Sequence, residues 1–216
     1  MLNFLFRFTR LIFGLFLYSF GAVLTIRGNI GLLTWDVLHH GLSLNTGITM
    51  GGASIFVGFV IVVFAFLIGE KIGLGTVLNM ILIGVFLDIL NSGIIPLMDT
   101  NITGFVMLAV GLIVIAFASY FYIGAGFGAG PRDSLMVILV RKFKCKVGVA
   151  RGIVEGSAVT LGWLLGGSLG IGTLISVFGI SIAVQYVFRL LKFEVEKVKQ
   201  ESLADTLANV KEILKT

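Results

Sequence analysis

Apolar residues in this chain do not alternate with polar ones; they run on. Leu11 to Ile26, Ile48 to Gly69, Leu74 to Ile95, Gly104 to Ile123, Val147 to Gly166 and Ile171 to Phe188 are nearly unbroken apolar stretches. Each approaches or reaches the roughly 20 residues a helix needs to cross hydrocarbon, so about six membrane-spanning helices are predicted in an all-α polytopic membrane protein. Two shorter, polar-tinged segments, Trp35 to Leu44 and Arg132 to Phe143, follow the first and fourth spans. From Lys192 onward Leu203, Leu207, Val210 and Leu214 recur at helical spacing between charges, which predicts an amphipathic cytoplasmic helix for the tail 192–216. The same pattern serves a solvated or membrane-surface helix and a helix that docks a cytoplasmic partner or a second copy of the chain.

Sliding the sequence by 97 residues superposes Gly28 to Leu90 on the second half without a gap, with 14 of 63 pairs identical. The identities cluster. Asp36 falls on Asp133, Gly31 on Gly128, Gly51 on Gly148, Gly69 on Gly166, and Gly73, Gly75 and Thr76 on Gly170, Gly172 and Thr173. Residues 1–97 and 98–191 therefore read as two membrane repeats, each with a long helix, a short segment and two more long helices. Three spans per repeat is an odd number, so the second copy is expected upside down relative to the first, an arrangement common among transporters.

Charge placement agrees with that expectation. With the N-terminus in the cytoplasm, Arg7, Arg10, Lys71, Arg132, Arg141, Lys142, Lys144, Lys146, Arg151, Arg189 and the basic residues after it lie inside, and only Arg27 of the 16 Lys and Arg lies outside, as the positive-inside rule requires. The net charge of +5 is thus a topology signal and calls for no nucleic acid. A composition 57% hydrophobic and 12% charged, with a mean hydropathy of +1.09, excludes an ordinary soluble domain. Arg7 and Arg10 ahead of an apolar run resemble a secretory signal, but a counterpart of this segment recurs mid-chain, so it is read as the first helix. The single cysteine, Cys145, excludes an intramolecular disulfide.

Little in the sequence points to catalysis: no serine-histidine-acid set, zinc motif, ordered carboxylate pair or cofactor fingerprint is present, and no enzyme activity or cofactor is expected. The glycine run "GAGFGAGPRDS" at 124–134 lacks dinucleotide spacing. Gly124 with Gly128, and Gly126 with Gly130, form small-xxx-small pairs that suit close helix contact in lipid. Pro131 disfavours helix at Gly130, so the helix is expected to end there. The equivalent place in the first half is "GNIGLLTWD". Each repeat thus breaks its first helix with glycine and restarts with an aspartate, Asp36 or Asp133. Paired breaks of this kind are the best sequence pointer to a transporter's binding site, although both aspartates also suit simple helix capping.

Other candidates follow from charge at membrane depth. Arg132, repeat mate of Trp35, suits an anionic solute or headgroup or plain positive-inside charge; Trp35 suits an interfacial belt position. Arg151 and Glu155 are spaced to share a helix face as an ion pair. Asp88, with Asn79 toward the other end of its helix, serves either a solute or an interhelical hydrogen bond. His39 and His40 follow Asp36 closely, but adjacent histidines do not converge on one ion, and no metal is expected.

The stretches "GNIGLLTWDVLHHGLS", "GLGTVLNMILIGVFLDIL" and "YIGAGFGAGPRDSLMVIL", followed by "GIGT", resemble the YczE branch of the YczE/YyaS/YitT bacterial integral membrane proteins over nearly the whole membrane part. The resemblance implies a multi-pass protein of the bacterial plasma membrane and supplies no substrate. The function expected is a small-solute transporter or permease with its site between the halves: Asp36 and Asp133 at two mouths, Glu155 with Arg151 coupling to an ion or a polar group, and Asp88 supporting the opposite side. The alternative is a membrane accessory, scaffold or sensor acting on a cytoplasmic partner.

Overall fold

A computed structural model describes residues 2–144 and 146–213, which excludes Cys145 and Leu214 of the positions discussed above. The described residues form helices α1 (Leu2–Arg27), α2 (Thr34–Thr46), α3 (Met50–Leu67), α4 (Leu74–Asn91), α5 (Asn101–Gly124), α6 (Pro131–Phe143), α7 (Val147–Leu164), α8 (Ile171–Leu190) and α9 (Leu203–Ile213), with a 3-10 turn at Val195–Lys197. No strand occurs among them. Five helices, α1, α3, α4, α5 and α8, are long and apolar enough to cross a membrane. The sixth expected span, α7, has 18 residues but is less apolar, because Arg151, Glu155 and several glycines interrupt its run.

The two longest helices, α1 and α5, form the centre. They approach at glycines seven residues apart: a Cβ on Gly21 would lie 2.8 Å from the Gly111 carbonyl, and one on Gly28 would lie 3.0 Å from that of Gly104. In lipid, where apolar side chains gain nothing by leaving one solvent for another, such backbone proximity is what holds helices together. Around this pair, α4 packs on α1 and α8 on α5, α2 on α3 and α6 on α7, and α2 on α7 and α3 on α6. Every one of these contacts comes with its equivalent under the shift of 97 residues.

The backbone repeats as well. Positive φ occurs at Asn29 and Gly126, Gly31 and Gly128, Gly47 and Lys144, and Gly69 and Gly166, four pairs each 97 apart. After α1 the chain crosses the start of α8, where Ile30 accepts from the Gly172 amide at 2.8 Å; after α5 it crosses the start of α4, where Phe127 accepts from the Gly75 amide at 2.7 Å. Thr76 and Thr173 accept from the amides of Gly73 and Gly170. These crossings leave no room for side chains: a Cβ on Gly73 would sit 2.1 Å from the Phe127 carbonyl, and one on Gly170 would sit 2.3 Å from that of Ile30.

The glycine run therefore does a different job from the one expected. Helix α5 ends at Gly124, not Gly130. Gly126, Gly128 and Gly130 belong to the irregular crossing, where Gly126 and Gly128 adopt positive φ, a conformation costly for residues with a Cβ. Gly124 lies against the Arg10 guanidinium of α1 rather than against the backbone of another helix. Pro131 opens α6 at its first turn, where a missing amide hydrogen costs nothing.

One packing contact lacks its equivalent. α3 lies along α4, with a Cβ on Gly51 placed only 2.1 Å from the Gly84 carbonyl. α7 and α8 make no such extended contact, and a Cβ on Gly148, the equivalent of Gly51, would meet nothing within 4 Å.

The tail folds back over one crossing. Glu201 donates its amide to Gly126, Leu203 donates to Ile72, Gln200 accepts from the Gly128 amide, and Arg7 pairs with Glu201 at 2.7 Å. The helix expected over 192–216 is confined, among the described residues, to α9 (Leu203–Ile213); the chain before it is this extended strap, held out of helix by its backbone bonds to the crossing.

Candidate functional site

The gap between α7 and α8 is a cavity of about 170 Å³ walled by α5 and reaching in to α1, α2, α4 and the start of α6. Four charged side chains line it: Arg132 and Asp133 from the first turn of α6, and Arg151 and Glu155 from α7. The broken backbone at Gly128–Gly130 places the first two, because restarting the helix at Pro131 turns its first residues into the bundle interior.

Arg132 lies 4.9 Å over the ring of Trp35 and donates to the Tyr18 hydroxyl at 3.2 Å. A guanidinium stacked on indole gains an electrostatic attraction that strengthens away from water. Trp35 in turn donates its indole N–H to Glu155 at 3.1 Å, and Thr34 donates to the other carboxylate oxygen. Tyr18 packs edge-on against Tyr122, centroids 6.3 Å apart, and both line the cavity. The repeat mates Trp35 and Arg132 thus meet face to face at the centre of the molecule.

This arrangement corrects four expectations. Trp35 is not an interfacial belt residue; it is 5% exposed and forms one wall of the cavity. Glu155 does not pair with Arg151, because its two oxygens are taken by Thr34 and Trp35 from α2, and shared helix face alone does not bring i,i+4 side chains together. Asp36 does not line a mouth: it is 4% exposed, lies 3.3 Å from His39 Nδ1 and leaves its second oxygen without a protein partner. Asp88 is remote from the cavity; it accepts from Thr49 Oγ1 at 2.5 Å and from the Gly51 amide at 2.8 Å, capping α3 from α4. Asp133, Arg132 and Arg151 do line the cavity, and Gly31, Gly73, Gly75, Thr76, Gly170, Gly172 and Thr173 build the two crossings that hold its frame.

His40 accepts from the Ser168 amide, and no group of three metal-ligating side chains occurs among the described residues. Sequence reasoning missed Tyr18, Tyr122, Thr34 and Ser176. Only for Ser176 was a signal available, since it is the repeat mate of Asn79 and both line the cavity.

A second, smaller cavity of about 20 Å³ lies between α3 and α4, lined by Ser54, Gly58, Asn79 and Met80 and sharing Trp35 and Arg132 with the first. Ser54, Gly58 and Asn79 are the repeat mates of Arg151, Glu155 and Ser176. The small cavity is therefore the collapsed counterpart of the large one, with the Arg132–Trp35 stack between them.

Residues 5–189 match the model of a family of unknown function, DUF6198, which leaves the strap and α9 outside the match. The chain is 37% identical over 172 residues to the uncharacterized membrane protein YczE of Bacillus subtilis, covering 79% of this chain and 80% of that one. It is 30% identical over 181 residues to an uncharacterized protein of Haemophilus influenzae, covering 84% and 83%, and 25% identical over 169 residues to the uncharacterized protein YyaS of B. subtilis, covering 76% and 83%. No solved structure matches it. With a family match across nearly all of its membrane part and relatives of this extent, the chain belongs to DUF6198, the YczE/YyaS group of bacterial membrane proteins.

Proposed function

We propose that the protein is a small-solute transporter of the cell membrane, built from two inverted three-helix repeats that take turns in opening. The observation that carries this reading is the unequal pair of cavities: one open between α7 and α8, its counterpart closed between α3 and α4. In inverted-repeat carriers, exchange of conformation between the two copies moves access from one side to the other around a fixed site.

The inversion is supported by which residues meet. Arg7, Ile72, Gly126 and Glu201 gather at one end, and Arg27, Asn91 and Met98 at the other. Ile30 and Phe127, which are repeat mates, belong to opposite ends. In this reading α7 is the sixth span, its charges tolerated because they face the cavity, and the N-terminus and tail are cytoplasmic. The Arg132–Trp35 stack would be the partition that a solute must pass. A scaffold role for the tail draws no support from the strap, whose polar groups are already engaged by its own chain.

The test needs no knowledge of the solute. Closure of α7 on α8 would bring Gly148 to Ser181 as Gly51 now meets Gly84. In a Cys145→Ala background, Gly148→Cys with Ser181→Cys is expected to form a disulfide in membranes on oxidation, and Ser54→Cys, which lines only the small cavity, to react with an impermeant thiol reagent from the side opposite to Ser176→Cys. Absence of the disulfide together with same-side labelling would sink alternating access.

A further inference from the structure

Four charges face one cavity, and none is ion-paired with another. Among the described residues the ion pairs are Arg7–Glu201, His39–Asp36, Arg141–Glu70 and Lys197–Glu194, all outside the cavity. Charges at membrane depth are expensive and normally pair with each other or with backbone carbonyls. Two of the four are satisfied by uncharged groups: Glu155 by Thr34 and Trp35, and Arg132 by the Trp35 ring and Tyr18. The other two are not. Arg151 is exposed at the cavity edge and makes no hydrogen bond to any described residue, and the half-buried Asp133 has only the backbone of Gly130 as a hydrogen-bonding neighbour. They nonetheless line the same cavity.

We propose that Arg151 and Asp133 form a split ion pair whose gap is filled by the transported solute, and that this solute is a small zwitterion bearing a carboxylate and an ammonium group, of amino-acid size. The assignment rests on the transporter reading and adds the solute class to it. Arg151 receives the carboxylate, for which the guanidinium fork supplies two parallel N–H donors, and Asp133 receives the ammonium group. The lining charges sum to zero, so a zwitterion enters without changing the net charge of the cavity, whereas an anion or a cation leaves one of the two partners without a counter-charge. The cavity, about 170 Å³, lies below the roughly 300–1,000 Å³ of pockets for drug-sized ligands. Ser119 and Ser176 remain on its wall for the rest of the solute.

The experiment compares L-alanine and L-serine with alaninamide, which keeps only the ammonium group, and N-acetylalanine, which keeps only the carboxylate. Binding to the purified full-length protein is read by thermal shift and by competition with radiolabelled alanine. The zwitterions are expected to bind at least tenfold more tightly than either analogue. Asp133→Asn should move the preference to N-acetylalanine and Arg151→Gln to alaninamide, an exchange that misfolding does not produce. Equal binding of an analogue and its parent, or no binding by any member of a set of α-, β- and N-methylated amino acids, would overturn the proposal. So would stabilisation by glycerophosphoethanolamine above every amino acid, which would assign the cavity to a lipid headgroup. If the Gly148–Ser181 disulfide forms while no zwitterion binds, transport stands and only the solute class falls.

Discussion

The pairs α3–α4 and α7–α8 occupy equivalent places in the repeat, yet one is closed and the other open. In the closed pair, Gly51 and Gly84 bring two backbones into contact, and Asp88 reaches from α4 to hold the first turn of α3. In the open pair, Gly148 faces empty space, Ser181 replaces Gly84 and Gln185 replaces Asp88. The carboxylate latch exists on one side only. A charged cap bonding two donors is a stronger tie than the amide of Gln185 could supply, so the two halves are biased toward unequal states by their own sequences. The arginine and glutamate that make the open cavity chemically active, Arg151 and Glu155, stand where the closed pair has Ser54 and Gly58.

The largest expected effect comes from exchanging the glycines. Gly51→Ala puts a methyl group where a backbone carbonyl already lies 2.1 Å away, forcing α3 off α4. Overpacking of this kind costs about 1–3 kcal/mol. Gly148→Ala meets nothing and gains helix propensity worth up to about 1 kcal/mol. Thermal unfolding in detergent should therefore fall for the first and hold or rise for the second. Equal losses would mean that α7 and α8 are packed together after all, and the contrast between the pairs would disappear.

A smaller effect is expected from cutting the latch. Asp88→Asn keeps the shape of the side chain but removes its charge and turns half of it into a donor, so at least one of Thr49 Oγ1 and the Gly51 amide loses its acceptor. Hydrogen bonds to charged groups contribute about 1.5–3 kcal/mol, part of which the asparagine oxygen retains. The protein should fold, with a lower unfolding temperature and faster labelling of Ser54→Cys, buried in the small cavity, as the α3–α4 pair loosens. Asp88 distant from the cavity predicts unchanged solute affinity; a lost affinity with an unchanged unfolding temperature would return it to the site.

These residues also show what the sequence carried. The helices were legible because each apolar run is long, and the helix breaks because glycines recur at a fixed spacing in both halves; that the broken segments cross the starts of α8 and α4 was not. That Asp133, Arg132 and Arg151 line the cavity agrees with the repeat's paired helix break for the first and with the rarity of charge at membrane depth for the other two. The partners were not legible. Glu155 and Arg151 share a helical spacing, but Thr34 and Trp35 come from 120 residues earlier, and no local pattern encodes that meeting. Trp35 near a helix break has the same appearance whether it faces a headgroup or an arginine. The unequal closure of the two pairs was hidden because Gly51 and Gly148 are the same residue at the same repeat position, and only their surroundings distinguish them.

The smallest expected effect concerns the two crossings. That after α5 is covered by the strap at residues 199–203, while that after α1 is met by Met98 of the α4–α5 connection, which accepts from Asn29 and donates its amide to Arg27. Glu201→Gln removes the ion pair with Arg7 but leaves the strap's backbone bonds to Gly126 and Ile72 in place. Both side chains are partly exposed, at 28% and 14%, so the loss should stay within the roughly 0–1 kcal/mol of surface pairs, or a fall of at most about 2–4 °C in the unfolding temperature. The strap bridges the start of α4 and the break before α6, the elements that must separate or slide if α6 moves with the solute. Loosening it should therefore raise the labelling rate of Ser176→Cys more than it lowers stability. A large thermal loss with an unchanged labelling rate would make the strap part of the structural core and leave the two crossings equivalent in function.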